Sequence, residues 1–229
     1  MSLAGLAWPV ELRPHPKARA MRLRLDEVRE RLTLTYPRKL SRHIVLEWAR
    51  GQEEWVDAQL AQLRPGEPFR AGATILFEGR EIRLHWEEGL PRAPRLEGNQ
   101  LSSGGPEASF ALRIERFLRI EALARLSAET ANVAARAGVS IRSVAVGDAS
   151  SRWGSCSASG AIRYSWRLIL ATPRLLRWVV AHEVAHRRHM DHGPAFRRLE
   201  AELYDGDVAA ARAELRALGP RLKRIGRGL

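Results

Sequence analysis

The sequence predicts an α+β fold in which a β-hairpin-rich N-terminal segment precedes a region dominated by helices. Two stretches of the first half, "AMRLRLDEVRERLTLTYP" and "ATILFEGREIRLHW", alternate apolar and polar residues, the period of a half-buried strand. The second half repeats its apolar residues at helical spacing. Between them "EGNQLSSGGPEA" (97–108) is polar and rich in Gly and Ser, which predicts a linker. The expected division is a strand-rich region with one helix over 1–105 and a second domain over 106–229.

In chain order, Met21, Leu23 and Leu25 on one arm and Leu32, Leu34 and Tyr36 on the other predict a hairpin with one buried face, ended by Pro37. Ser41 then caps a helix expected to reach about Leu63, with Ile44, Trp48 and Trp55 along one side. Two strands joined at Glu78-Gly79 follow. The tryptophans read as core and rim packing in preference to a platform for nucleic-acid bases. Phe110, Ile114 and Phe117 begin a long helix that Gly138 stops after Ala137.

Strands are expected from Ile141 to Val146 and over "AIRYSWRLILA", where Ile162, Tyr164, Trp166 and Leu168 share one face and Arg163, Ser165 and Arg167 the other. The connection "SSRWGSCSASG" is turn-rich. Thr172-Pro173 supplies a cap and a first-turn proline for a helix running to about Met190. Gly193-Pro194 breaks it and Pro194 opens another, with Phe196, Leu199 and Leu203 inward. A last helix carries Val208, Ala211, Leu215 and Leu218.

A chain of 229 residues with 45% hydrophobic content can bury a sizeable core. Neither a signal peptide nor a membrane span is read from it, and the lone Cys156 excludes an internal disulfide, so a cytoplasmic location is expected. The net charge is +12, almost all from arginine, the lysines being Lys17, Lys39 and Lys223. Residues 1–105 carry 17 basic and 14 acidic side chains, residues 106–229 carry 21 and 12. The tail adds Arg221, Lys223, Arg224 and Arg227 without an acid. A biased genome accounts for arginine as well as phosphate binding does, so the basic half admits nucleic acid or nucleotides as partners without requiring them.

The chemistry concentrates in "HEVAHRRHMDH" (182–192), which holds four of the seven histidines. His182 and His186, four residues apart on a helix, project from one face and can reach one ion. Glu183 lies at its flank, placed to take a proton from water without ligating. The flanking Val179, Val180, Ala181, Val184 and Ala185 make this helix mostly buried, and buried imidazoles require partners.

His189 continues the same face, yet seven residues of helix put it about 10 Å from His182, too far for three rings to converge. His192, beside the Gly193-Pro194 turn, is the expected third ligand, with Glu200 as the alternative. Three ligands leave a position open, the mark of a catalytic zinc site. One Zn²⁺ per chain with Glu183 as general base predicts a hydrolase. Arg152, Tyr164 and Tyr204 are candidates, by residue type, for stabilising a developing oxyanion.

The run "RWGSCSASGAIRYSWRLILATP" followed by "VVAHEVAHRRHMDHGPAF" resembles the YgjP-like metallopeptidases, relatives of the SprT-like zinc proteases. Members have the Arg-Trp-Gly-Ser-Cys turn, a strand ending in Leu-x-x-Pro, the His-Glu-x-x-His helix and a third histidine after five further residues, which supports His192. Asp191, Gly193, Arg187 and Arg197 depart from the family's usual Asn, Ser, apolar residue and Trp. The resemblance implies a zincin-like metallopeptidase domain, with the strand "AIRYSWRLILA" as an edge to which a peptide adds. It also implies that Ser151 to Ser157 is the turn holding the sheet near the site and that Cys156 packs there.

A zinc peptidase is therefore the leading expectation. One alternative is a metal-dependent nucleotide (phosphoanhydride) hydrolase, with Arg163 and Arg167 on the phosphates. The other is a nucleic-acid-associated protease of SprT-like type.

Overall fold

In a computed structural model, residues 5–26, 30–61, 65–149 and 151–228 are described, and they form two compact units, Met1–Pro65 and Gly66–Leu229. The first is a three-stranded sheet with two helices. Strands β1 (Val10–His15), β2 (Arg22–Asp26) and β3 (Arg31–Pro37) lie in the order β1-β3-β2. The expected hairpin is β2–β3, antiparallel, with Leu23 opposite Leu34 and Leu25 opposite Leu32. The parallel strand β1 was not read from the sequence.

The expected helix from Ser41 is two helices, α1 (Arg42–Arg50) and α2 (Glu53–Ala61), because Gly51 ends the first. Ser41 does cap α1, its hydroxyl accepting from the Ile44 amide. The break resets the helical phase, so Val45, Ala49 and Val56 are buried while Ile44 and Trp55 are exposed. Leu63, the expected end, lies outside the described residues.

The second unit begins with a sheet of β4 (Thr74–Phe77), β5 (Arg80–Trp86), β6 (Arg95–Glu97) and β7 (Gln100–Ser103), in the order β4-β5-β7-β6. Glu78 and Gly79 both have positive φ, 50° and 77°, as a two-residue turn matching strand twist requires. The boundary falls at 65/66 and not at 105/106. The presumed linker is largely the β6–β7 hairpin, with Leu101 and Ser103 fully buried, Ser103 accepting from Arg113 Nε at 3.1 Å. Short polar strands with one buried apolar residue look like linker in composition alone.

Helix α3 (Phe110–Ala137) packs its Phe110, Ile114, Leu118, Ala122 and Leu126 stripe into the core and stops at Gly138, φ 62°. A second sheet follows, ordered β8-β10-β9, from β8 (Ser143–Gly147), β9 (Gly154–Cys156) and β10 (Ala161–Ser165). Two expectations change here. The turn-rich connection contains a strand, β9, antiparallel to β10. The expected long strand ends at Ser165, and Trp166–Leu170 is a 3₁₀ turn buried on every side. Alternation cannot persist where all faces are covered.

Helix α4 (Pro173–Ala185) starts as read, with Thr172 accepting from Leu175 N, but stops five residues before Met190. Helix α5 (Pro194–Tyr204) buries Phe196 and Leu203. Helix α6 (Val208–Arg224) continues through Pro220, so Arg221, Lys223 and Arg224 are helical. No helix among the described residues is long and apolar enough to cross a membrane.

Candidate metal centre

Helix α4 ends where the chemistry is. His182 lies in its last turn and His186 caps its C-terminus, and the chain then passes through residues 187–193 to start α5. This early end brings His192 over the first two rings. The ligand atoms of His182, His186 and His192 all lie within 4.8 Å of one another. His192 Nε2 is 3.3 Å from His182 Nε2. Two nitrogens on one tetrahedral zinc at about 2.0–2.1 Å are themselves about 3.4 Å apart, so this donor set fits such an ion.

The back side of each α4 histidine is fixed. His186 Nδ1 donates to the His189 carbonyl at 3.1 Å, since a carbonyl can only accept. His182 Nδ1 meets Glu200 Oε1 at 2.9 Å, which favours the same tautomer. Both rings therefore present the Nε2 lone pair to the space between them. Glu200, the alternative ligand, lies behind His182, 1% exposed, and also accepts from Trp178 Nε1 at 3.0 Å. Burial pushes its carboxyl up, but His182, Trp178 and Arg212 outweigh burial and hold it below its usual range. Phe196 packs against all three imidazoles, with ring centroids 4.6–5.0 Å away. Sequence reasoning assigned Phe196 only to the core; its helical spacing carries no signal of the second role.

Glu183 is 5% exposed and points to the sheet side of α4. Burial raises its carboxyl to about 7, with His182 and Arg152 pulling it down. Its carboxylate rests on Gly154 of β9, where a Cβ would stand 2.6 Å from Glu183 Cγ. The glycine of "RWGSC" is thus the seat of the glutamate. Strand β9, and not β10, is the edge beside α4, because β10 is central. The Ser165 amide bonds the Trp153 carbonyl and the Ser157 amide the Ala161 carbonyl. By the parity of an antiparallel pair, Gly154 and Cys156 turn their backbone groups to the open edge.

Of the residues expected to bind substrate, the structure keeps exposed Arg152 by Glu183, buries Tyr164 and Arg167, and turns Arg163 to the other side of the sheet. Tyr164, opposite Gly154 on β10, is buried, its hydroxyl 3.0 Å from Thr130 Oγ1, and burial drives its pKa up. Arg163 faces the opposite side of the sheet, against Gly147. Arg167 is 2% exposed, donating to Asp148 Oδ1 at 2.9 Å and to the carbonyls of Leu222 and Ile225. Alternation grouped Arg167 with Arg163 and Ser165 on one strand face, whereas the 3₁₀ turn directs it inward. Tyr204 is buried at the end of α5. Cys156 is half-buried and its thiol is pushed up by burial, with Arg187 opposing.

A closed cluster of three imidazoles with a buried carboxylate at its flank and an open strand edge is the arrangement of a metal-dependent peptidase. The chain belongs to the YgjP-like family, whose metallopeptidase domain matches residues 19–218. No curated protein and no solved structure matches it.

Proposed function

We propose that the protein is a zinc metallopeptidase in which His182, His186 and His192 hold one Zn²⁺ and Glu183 is the general base. The observation that carries this is the convergence of three Nε2-presenting rings beside a carboxylate seated on an edge strand. Zinc, when bound, supplies a Lewis acid that makes water acidic and polarises a carbonyl.

The chain's own groups do the rest. An extended peptide adds to the outward amide and carbonyl groups of Gly154 and Cys156, which sets its carbonyl beside the histidines. Glu183, held close to neutral pKa by burial, takes a proton from the attacking water and returns it to the leaving amine. Its seat on Gly154 keeps it from swinging toward the ligand position.

A nucleotide hydrolase would lack the two arginines first considered for its phosphates, since Arg167 is buried and Arg163 faces away. The basic tail is likewise engaged, Arg221 and Arg224 with Glu67 and Arg227 with Asp148. The test is Glu183→Gln. Zinc stoichiometry by elemental analysis is expected to stay at one per chain while peptide turnover falls by about 10³-fold or more. Unchanged turnover would remove Glu183 from the mechanism.

A further inference from the structure

Three arginines lie around the histidines and the strand beside them. Arg152 is exposed, precedes β9, and is near enough to Glu183 to lower its pKa without ion-pairing to it. Arg187 lies by Cys156 at the other end of β9, its Nε on the Ser140 carbonyl at 3.2 Å and its Nη1 on the Ala158 carbonyl at 2.9 Å. Arg197, exposed in the first turn of α5, donates Nε to the His192 carbonyl at 3.2 Å. Carbonyls orient the Arg187 and Arg197 side chains without compensating their charge.

The nearby acids are all engaged. Glu200 is buried and bonded to His182 and Trp178, Asp191 Oδ1 accepts from the Gly193 amide at 2.9 Å, and Glu183 is enclosed against β9. Some arginines elsewhere in this unit meet carboxylates: Arg119 with Glu115, Arg125 with Glu78, Arg174 with Glu214 and Arg177 with Glu129. A biased genome explains how many arginines the chain has. At the cleft itself, no ion pair engages Arg152, Arg187 or Arg197 among the described residues.

Resting on the peptidase assignment, we propose that the cleft selects peptides carrying aspartate or glutamate beside the scissile bond, with Arg152 and Arg197 as the selecting residues. A guanidinium offers a planar fork that a carboxylate fills with two charge-assisted hydrogen bonds, which an amide isostere cannot match. Arg187, already committed to two carbonyls, contributes its field more than a new contact.

The test separates binding from turnover. Zinc-loaded Glu183→Gln protein is titrated by fluorescence anisotropy into three labelled peptides of one backbone, carrying Asp/Glu, Asn/Gln or Lys/Arg around the centre. The acidic peptide is expected to bind about tenfold more tightly than the neutral one. Arg152→Gln and Arg197→Gln in that background each reduce the ratio, Arg152→Lys keeps most of it, and added salt compresses it. Circular dichroism checks that these exposed-site variants fold.

Equal affinity for the three peptides overturns the proposal, as does displacement of none of them by unlabelled acidic peptide while a nucleoside triphosphate binds. Cleavage by the wild-type protein is scored separately. No cleavage of any peptide rejects the peptidase assignment, whereas cleavage without acidic bias rejects only the selectivity.

Discussion

Replacing Gly154 by alanine tests the seat of Glu183 with a single methyl group. The added Cβ would stand 2.6 Å from Glu183 Cγ and 2.7 Å from Cδ. Comfortable carbon–carbon contact begins near about 3.5 Å, so the carboxylate has to retreat by about 1 Å or β9 has to move outward by as much. Gly154 does not have a left-handed φ, so alanine meets no backbone penalty and the effect isolates the contact. A displacement of about 1 Å at a reacting group lowers turnover by about 10²-fold, or about 2.7 kcal/mol of transition-state stabilisation. Overpacking adds a loss of about 1–3 kcal/mol in folding stability. The assay pairs kcat on a cleaved peptide with zinc content and thermal unfolding. The expected result is low kcat with one zinc still bound, because the methyl touches Glu183 and none of the histidines. Full kcat in Gly154→Ala would refute the seating of Glu183, and loss of zinc would show that β9 supports the ligands instead.

Other substitutions probe the supporting groups. Glu200→Gln keeps an acceptor for His182 Nδ1 but removes its charge, and zinc affinity measured against a competing chelator should fall by about 10–100-fold; complete loss of stoichiometric binding would make Glu200 a ligand. At Asp148, burial favours the neutral acid, but Arg167, Arg227 and Arg119 outweigh it and hold the carboxyl below the ordinary 3.8. A depressed carboxylate stabilises the fold above pH 3.8, and that contribution is lost as pH falls through the folded value. Asp148→Asn, which leaves Arg167 buried beside an amide, should lower stability by about 3 kcal/mol and Tm by about 10 °C at neutral pH. The gap between wild type and variant should narrow below pH 3.8, and a gap independent of pH would assign the effect to packing.

What was legible in the sequence was local. Hairpin β2–β3 follows from alternation, the Glu78-Gly79 turn from its residues, and the limits of α3 from Gly138. Ser41 and Thr172 cap helices because each hydroxyl reaches an amide three residues on. The convergence of His182, His186 and His192 was legible because spacing and a Gly-Pro turn encode it. Distant partners decide what was missed. Arg167 looks like a strand residue sharing a face with Arg163 until Asp148 and two C-terminal carbonyls draw it inward. Helix α4 looks continuous to Met190 until the His189 carbonyl turns back onto His186. Gly154 reads as a turn glycine, and only the packing of α4 on β9 reveals what its missing side chain makes room for. Gly51 is a local stop signal, and the apolar stripe of Ile44 and Trp55 that runs across it is one the core does not use.

The segment leading into β9 is held from a distance in sequence. Asp148, at its start, receives Arg167 and Arg227, the latter at 2.7 Å. Trp153, at its end, packs on Gly219, where a Cβ would stand 3.1 Å from the indole, and Lys223 lies 5.6 Å above its ring. The C-terminal residues that supply these contacts are themselves fixed: Leu222 and Ile225 are fully buried, and the Gly226 amide bonds the Glu67 carbonyl at 2.7 Å. Residues 219–228 lie beyond the stretch matched to the family. They nevertheless clamp both ends of the segment that carries Arg152 and delivers Gly154 to Glu183. Local spacing on α4 specifies which atoms can meet an ion, while the position of the proton-accepting carboxylate depends on a strand anchored by the other end of the chain. A carboxylate kept close to neutral pKa by burial needs such an anchor, because any loosening of β9 would admit water and release it toward its ordinary value.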